Sequence, residues 1–419
     1  MVRILLLLPS ATYRAEGFLE AARAIGAEVI VASERRQALA GLMSGRALQL
    51  DLRRPEAAAD AIVAHARTLP LDAVVAVDDQ GVLAATLAAA ALGLPHNPVE
   101  AVAATRDKAS LRALADAAEI PQPAWALVGP ADDLAAAAGR VGLPCVVKPL
   151  SLSGSRGVIR ADDADGAVRA AQRVRSILAD AGEDSDGPLL VESYIPGAEV
   201  AVEGLLRGGR LEVLAIFDKP DPLEGPYFEE TIYVTPSRLP EQSQSAVTRL
   251  VADAVAAIGL REGPIHAEAR VDGDQVRLLE VAARSIGGLC ARALRFGLGV
   301  TLEELILRHA AGLPLPDLAR EARASGVMML PIPRAGALTE VRGQEAARQV
   351  PGIAGLQITV APGRPVRPLP EGDRYLGFLF ARADQPAEVE QALRQAHSLL
   401  DIVIEPAQIG ARASEVECR

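Results

Sequence analysis

The stretch Ile265-His266-Ala267-Glu268-Ala269-Arg270-Val271-Asp272-Gly273-Asp274-Gln275-Val276-Arg277-Leu278-Leu279-Glu280-Val281 decides how the rest of the chain is read. Two apolar-rich runs flank Asp272-Gly273, a dipeptide suited to a tight turn, so an antiparallel hairpin is expected. With side chains alternating across each strand, His266, Glu268 and Arg270 share one face, and Leu278, Glu280 and Ala282 share one face of the partner. Glu268 and Glu280 then lie opposite or diagonal, roughly 5 to 8 Å apart. Two carboxylates that close repel unless a cation lies between them, and hard oxygen ligands suit Mg²⁺. Arg284-Ser285-Ile286-Gly287-Gly288 follows, bringing a cation that pairs with phosphate and a Gly pair for close backbone approach. The competing reading is a solvated hairpin with its polar face outward.

Upstream, Cys145-Val146-Val147-Lys148-Pro149-Leu150-Ser151-Leu152-Ser153-Gly154-Ser155-Arg156-Gly157-Val158 reads as a strand ending in Lys, a small flexible loop, and a second strand. Backbone N–H groups of such a loop can close over a polyphosphate, because Gly and Ser allow approach without Cβ clashes. A Ser/Gly loop alone is only a turn; Lys148 at its mouth is what points to phosphate. The composition points the same way. Of 43 basic residues 40 are Arg, and the only lysines are Lys108, Lys148 and Lys219. A site that needs one compact ammonium among phosphate oxygens tolerates the planar Arg fork poorly, so all three are site candidates.

The 419 residues are 50% hydrophobic and 23% charged, enough for two or three domain cores. Net charge is -11, the wrong sign for a protein that coats phosphate backbones, so nucleic acid is not an expected partner. Three cysteines, Cys145, Cys290 and Cys418, are too few for a disulfide framework and read as plain thiols in a reducing compartment. Ile4 to Leu8 is too short for a signal-peptide core and reads as a buried strand. Val82 to Leu94 falls well below the roughly 20 residues of a membrane span. A cytoplasmic location without membrane association is expected.

Residues 1–98 alternate apolar strands with helices, implying a parallel sheet covered on both faces. No G-x-G-x-x-G follows the first strand, where Pro9-Ser10-Ala11-Thr12 stands, so a nicotinamide or flavin enzyme is disfavoured. A Pro/Gly-punctuated boundary at 93–98 precedes a helix that Thr105 caps or opens, running from Thr105-Arg106-Asp107-Lys108 through Leu111 to Ala118. Strands at Trp125 to Val128 and Cys145 to Lys148 flank the helix Asp132 to Val141. Residues 145–205 read as a compact insert with one helix at 164–179. Residues 211–310 supply further strands and the helix Leu302 to Ala310, and a Pro-rich run at 312–316 precedes a C-terminal section of three strands and the helix Ala387 to Leu399. No repeats occur.

This order of elements resembles the ATP-grasp superfamily, and within it the carboxylate-amine ligases related to L-amino-acid ligases (dipeptide synthases) and carnosine-synthase-like enzymes. The resemblance covers nearly the whole chain. It implies an α/β (α+β) ATP-grasp fold with an N-terminal Rossmann-like domain over 1–98, an ATP-grasp domain over 99–325 with a lid at about 145–205, and a closing β-rich C-terminal section over 326–419. Lys108 resembles the first phosphate-binding Lys and Lys148 the second; Ser153, Gly154, Ser155 and Gly157 belong to the mobile lid loop. In Val191-Glu192-Ser193-Tyr194-Ile195-Pro196-Gly197-Ala198-Glu199, Glu192, Ser193, Tyr194 and Ile195 resemble the hinge that reads adenine, and Glu199 resembles the ribose-binding acid. Glu268 and Glu280 fall on the metal-ligand positions, and Arg284 on the Arg that touches the transferred phosphate. Many relatives carry Asn where Ala282 stands, so a water ligand or lower occupancy is expected for one ion. The cofactors implied are ATP and Mg²⁺, with Mn²⁺ as the alternative ion.

The resemblance further implies an acyl-phosphate route: a carboxylate attacks the γ-phosphoryl, ADP leaves, and an amine displaces phosphate. Partners would be a small-molecule carboxylate and amine, and a second copy in a homodimer. Residues 217–233 hold four of the chain's 12 aromatics, reading either as strands packed on the sheet or as a substrate wall. There Glu229 and Glu230 could hold a substrate ammonium, with Lys219 or Arg284 taking a carboxylate beside Gly287 and Gly288. His266 could act as base toward the amine if neutral near pH 7, or could simply pack. His65, His96, His309 and His397 are scattered and imply no zinc site. Rival readings keep the fold with a purine-biosynthesis or biotin-carboxylase acceptor, or make the chain a non-catalytic ATP-binding regulator.

Overall fold

The computed structural model describes residues 2–10, 12–35 and 45–406; Cys418 lies outside them. The N-terminal part runs β1 (Arg3–Leu7), α1 (Ala15–Ala24), β2 (Glu28–Ser33), β3 (Ala47–Gln49), α2 (Pro55–Ala66), β4 (Ala73–Ala76) and α3 (Asp79–Leu92). Its four strands are parallel, in the order β3-β2-β1-β4. Ile4 through Leu7 have no solvent exposure, as expected of an apolar run covered on both sides. The Ala-rich stretch at 82–94 lies almost wholly in α3, which ends at Gly93 in the left-handed conformation (φ 69°).

Next come α4 (Val99–Thr105) and α5 (Lys108–Ala117). Thr105 closes α4 instead of opening the next helix; the cap of α5 is Asp107, whose carboxylate accepts from Ser110 N–H. Then follow β5 (Trp125–Val128), α6 (Leu134–Val141), β6 (Cys145–Lys148), β7 (Ile159–Ala161), α7 (Ala164–Ala181) and β8 (Leu189–Ser193). They form a small antiparallel sheet, β5-β8-β6-β7, with α6 and α7 packed on it around Val147, Val174 and Leu189. This sheet takes in β5 and ends at Ser193, so by strand membership the small unit spans 125–193.

The remainder is β9 (Ala198–Arg207), β10 (Arg210–Asp218), β11 (Ile232–Thr235), α8 (Glu241–Ile258), β12 (Gly263–Asp272), β13 (Gln275–Ala282), α9 (Leu302–Ala310), β14 (Ala324–Leu330), β15 (Gly336–Arg342), α10 (Gln344–Arg348), β16 (Ile353–Ile358), β17 (Pro365–Val366), β18 (Gly377–Ala383), α11 (Pro386–Ser398) and β19 (Asp401–Glu405). Eight strands form one antiparallel sheet in the order β13-β12-β9-β10-β11-β14-β18-β16. Residue 325 therefore falls inside a strand of this sheet, with β14 paired to β11 on one side and β18 on the other. A core around Phe18, Phe217, Phe296 and Phe378 joins α1 and α9 to this sheet, and a second core packs α8 against β12 and β13.

The hairpin at β12–β13 forms with Glu268 directly opposite Glu280 and His266 opposite Ala282, but the register shifts between Glu268 and Ala269. A bulge lets two neighbours on one strand face the same side. Leu278 consequently does not share the face of Glu280: it joins the core with Ala267, Ala269 and Val271, while Leu279 faces the cleft beside Glu280. At the turn into β9, Gly197 has φ 98°, and a Cβ there would meet Val271 O at 2.3 Å, so only glycine lets this loop lie against β12.

Candidate active site

The three sequence elements that carried the chemistry converge on one cleft of about 390 Å³ between the small sheet and the large one. Lys108, Lys148, Ser153, Gly154, Ser155, Glu192, Ser193, Tyr194, Ile195, Glu199, Glu229, Glu230, His266, Glu268, Glu280, Arg284, Gly287 and Gly288 line it. Two expected members do not. Gly157 points its N–H away, to Pro370 O at 3.0 Å, and Lys219 lies beneath the cleft wall.

One end is built on the lysines. Lys108, in the first turn of α5, donates to Leu152 O at 3.0 Å and lies 3.9 Å from Glu280. Leu152 and Ser155 have left-handed backbones (φ 66° and 57°), unusual for residues with a Cβ, and Gly154 between them has φ 65°. Such a run turns successive N–H groups toward one point and forms an anion concavity. Lys148 and Arg112 both hold Glu192, at 2.7 and 2.6 Å. Burial raises the Glu192 carboxyl, but Arg112 and Lys148 outweigh it and bring it to about 2. Both oxygens of Glu192 are thus engaged by cations, so any contact it makes with a base would come through the neighbouring backbone. Arg112, only 1% exposed, was not singled out from the sequence.

The opposite wall is a buried charge cluster. Lys219 Nζ lies 2.8 Å from Glu199, 2.5 Å from Glu230 and 2.8 Å from Glu268, which takes all three of its protons. Lys219 is thus a structural cation, and the expectation that it takes a substrate carboxylate does not hold. Burial disfavours its charge, but the three acids outweigh that and raise its pKa. Glu199, Glu230 and Glu268 are also the described acids whose oxygens cluster tightly enough, within 4.8 Å, to share one cation; Lys219 fills that place. The other oxygen of Glu199 accepts from Arg270 Nε at 3.0 Å. Burial raises Glu230, Lys219 opposes this and Glu268 adds to it, leaving the carboxyl at about 7.

His266 Nδ1 is 2.5 Å from Glu203 and its Nε2 is 3.4 Å from Glu268. Burial disfavours the imidazolium, but Glu203 more than offsets it and lifts the pKa to about 9. Both ring nitrogens thus face carboxylates, an arrangement that favours the imidazolium over the neutral base expected from the sequence. Glu203, only 1% exposed, also accepts from Ile286 N–H at 3.0 Å and so anchors the Gly pair to the histidine. Arg284 pairs with Asp79 at 2.8 Å, from the first turn of α3. Arg14 donates to Ser285 Oγ at 2.5 Å. Arg14, Asp79, Arg112 and Glu203 bring the N-terminal sheet and the hairpin into one site; no local motif marks them.

Glu268 and Glu280 offer the hard oxygen set a divalent ion takes, from paired positions facing the cleft. Among the described residues, the ion-pair partner of Glu280 is Lys108 at 3.9 Å, which leaves its oxygens open, while Oε1 of Glu268 faces both Lys219 and His266. Cys145 and Cys290 are free and buried, and burial raises both thiols, so neither is a thiolate near pH 7. Among the described residues, no helix is long and apolar enough to cross a membrane.

A parallel sheet beside a small and a large antiparallel sheet, with lysines, a Ser/Gly loop and paired acids between them, makes a cleft with the chemistry to hold a polyphosphate and a divalent ion. Residues 141–293 match the ATP-grasp domain, 19–96 the ATP-grasp N-terminal domain, and 328–405 the L-amino acid ligase C-terminal domain 2. The structure superposes on the crystal structure of an L-amino acid ligase from Bacillus licheniformis with a TM-score of 0.78 at 24% identity, covering 97% of this chain and 99% of that one. Among curated proteins, alanine–anticapsin ligase of Bacillus subtilis is 25% identical over 269 residues, 60% of this chain and 56% of that protein. Carnosine synthase 1 of Gallus gallus is 32% identical over 203 residues, 46% of this chain and 22% of that protein. The chain thus spans less than two thirds of the length of these two curated relatives. Residues 19–96 and 141–293 thus carry the two ATP-grasp domain matches, and proteins of that superfamily use ATP and a divalent metal ion.

Proposed function

We propose that this chain is an ADP-forming carboxylate-amine ligase that makes an amide bond between two amino acids, or an amino acid and a small carboxylate, with Mg²⁺ as its ion. The observation that carries the reading is Glu268 standing opposite Glu280 on paired strands, in the cleft that Lys108, Lys148 and Arg284 also line. The match of residues 328–405 to an L-amino acid ligase C-terminal domain favours amino acids over purine-biosynthesis or carboxylase acceptors.

In this reading Lys108, Lys148 and the N–H groups of Ser153 to Ser155 bind the triphosphate, with Gly157 flanking the loop, and Ser193 to Ile195 and Glu199 bind the nucleoside. Glu268 and Glu280 would hold the ion, which supplies charge neutralisation across the phosphates. A substrate carboxylate oxygen attacks the γ-phosphorus, the bond to the β–γ bridging oxygen breaks, and ADP leaves with an acyl phosphate formed. The neutral amine nitrogen then attacks the acyl carbon, the C–O bond to phosphate breaks with its electron pair leaving on phosphate, and the amine's proton passes to that departing phosphate. Arg284, oriented by Asp79, faces the charge that develops on the transferred group. Glu229 and Glu230, which line the same cleft as Gly287 and Gly288, would take a substrate ammonium. The domain division near 98 is proposed on the same footing, with the lid drawn to 125–193 by strand membership; the boundary expected at 325 falls inside β14 and is not kept.

The test is ADP release with MgATP and a matrix of amino acids and small carboxylates, singly and in pairs, with mass analysis of products. ADP and phosphate in equal amounts, with a new amide mass only when two substrates are present, supports the ligase. AMP and pyrophosphate, or no turnover with any pair despite MgATP binding, rejects it.

A further inference from the structure

The loop joining β17 to β18 has two working sides. Its inner side, through Asp373, Arg374 and Tyr375, lines the cleft. Its outer side grips the lid. Glu371 takes a fork-to-fork pair from Arg173 on α7, at 2.7 and 3.0 Å. Pro370 O accepts from Gly157 N–H at 3.0 Å, at the end of the phosphate-type loop. Arg367 reaches Asp180, near the far end of α7, at 3.0 Å. The loop is tightly shaped, since Gly372 N–H donates to Pro368 O at 2.8 Å and a Cβ on Gly372 would meet Arg367 O at 2.4 Å.

Arg173 is tied to a second cleft wall as well. Its guanidinium donates to the Tyr227 hydroxyl and lies 5.1 Å from that ring's centroid, and Tyr227 bridges to Ile159 of β7. One lid arginine thus joins the segments that end in Glu230 and in Tyr375, both lining residues. A bidentate Arg–carboxylate pair has strict geometry and exists only when the two elements meet in one relative position. A lone surface pair is weak, but a lid equilibrium needs only a modest bias to change its populations several-fold.

We propose that Arg173 and Glu371 form a latch that couples closure of the lid to the ordering of the 367–375 loop, so that the phosphate cover and the substrate wall assemble as one event. Arg173 is a positioning residue: it touches neither phosphate nor substrate, and acts by holding Gly157 and Arg374 in place at once. A lid that opens before the amine attacks admits water to the acyl carbon, giving carboxylate and phosphate with ADP but no amide. That consequence rests on the ligase reading; the mechanical coupling does not.

The experiment compares wild type with Arg173→Ala, Glu371→Ala, the charge exchange Arg173→Glu with Glu371→Arg, and Arg169→Ala, a control on the exposed face of the same helix. Amide hydrogen exchange of residues 151–158 and 367–375 with MgADP bound, and the ratio of ADP released to amide formed, are both read. The expected result is a 3- to 10-fold rise in exchange of both segments in each single variant, a several-fold rise in ADP per amide with little change in the KM for ATP, and recovery in the exchange variant. Exchange in Arg173→Ala equal to the Arg169→Ala control overturns the latch. If wild type forms no amide with any pair, the ligase reading fails, and the exchange data still decide the latch.

Discussion

The ammonium of Lys219 lies 2.8 Å from Oε1 of Glu268, so the first acid of the hairpin is held by a buried lysine just past the end of β10, a strand two places away in the sheet. Glu199 and Glu230 share the same ammonium, and the cluster keeps these carboxylates together despite their mutual repulsion. Replacing Lys219 with Met leaves them buried and uncompensated, a loss expected at about 3 kcal/mol of stability near pH 8. Carboxyls raised above their unfolded values regain stability as pH falls, so the gap to wild type should narrow at pH 5.5. Thermal unfolding at both pH values checks this; a gap independent of pH contradicts it.

Glu192 carries a linked effect of the opposite sign. Its carboxyl sits at about 2 in the folded chain against an ordinary 4.5, so its contribution is fully present above the unfolded value and is lost as pH falls through about 2. A shift of that size corresponds to about 3 kcal/mol. Glu192→Gln should therefore destabilise by about that amount at pH 7, by stranding Arg112 and Lys148, and the difference should shrink toward pH 2. Urea titrations across the acid range would reveal it.

His266 should titrate late. In the metal-free protein its imidazolium persists to about 9, so its stabilisation is complete below the unfolded value near 6.5 and disappears as pH rises through about 9. Glu203→Gln removes the main cause and should bring the transition below 7. Imidazole shifts followed by NMR from pH 5 to 10 decide between the two.

Glu280→Ala should abolish turnover and spare the fold. The side chain is 31% exposed, and its one ion-pair contact among the described residues, to Lys108, is 3.9 Å long. Loss of a metal-ligand position is expected to lower ADP formation by roughly 100-fold or more, the equivalent of about 3 kcal/mol in the barrier. Normal ADP production with an unchanged melting temperature would remove Glu280 from the ion.

How much was legible varies with the range of the interaction. The strands Trp125–Val128 and Cys145–Lys148 and the helix Leu302–Ala310 were read to the residue, because local apolar runs and turn residues mark them. Helix α8 was not read, although Val247, Leu250, Val251, Ala254, Val255 and Ile258 recur at helical spacing, since its Gln/Ser-rich opening lacks a clear cap. Of the opposite and diagonal placements open to Glu268 and Glu280 the structure has the opposite one, and one residue later a bulge that alternation cannot foresee turns Leu278 into the core.

The sequence by itself determined most of the elements, the three lysines as exceptions in an Arg-rich chain, and that Glu268 and Glu280 face each other across one hairpin, opposite or diagonal, because each depends on residue type and short spacing. Tertiary structure alone decided what those groups do. Lys219 was drawn under the cleft by three acids, His266 was set against Glu203, and Arg173 found Glu371 across 198 positions of chain. Burial and partner charge set the state of an ionisable group, and both are properties of elements brought together from afar.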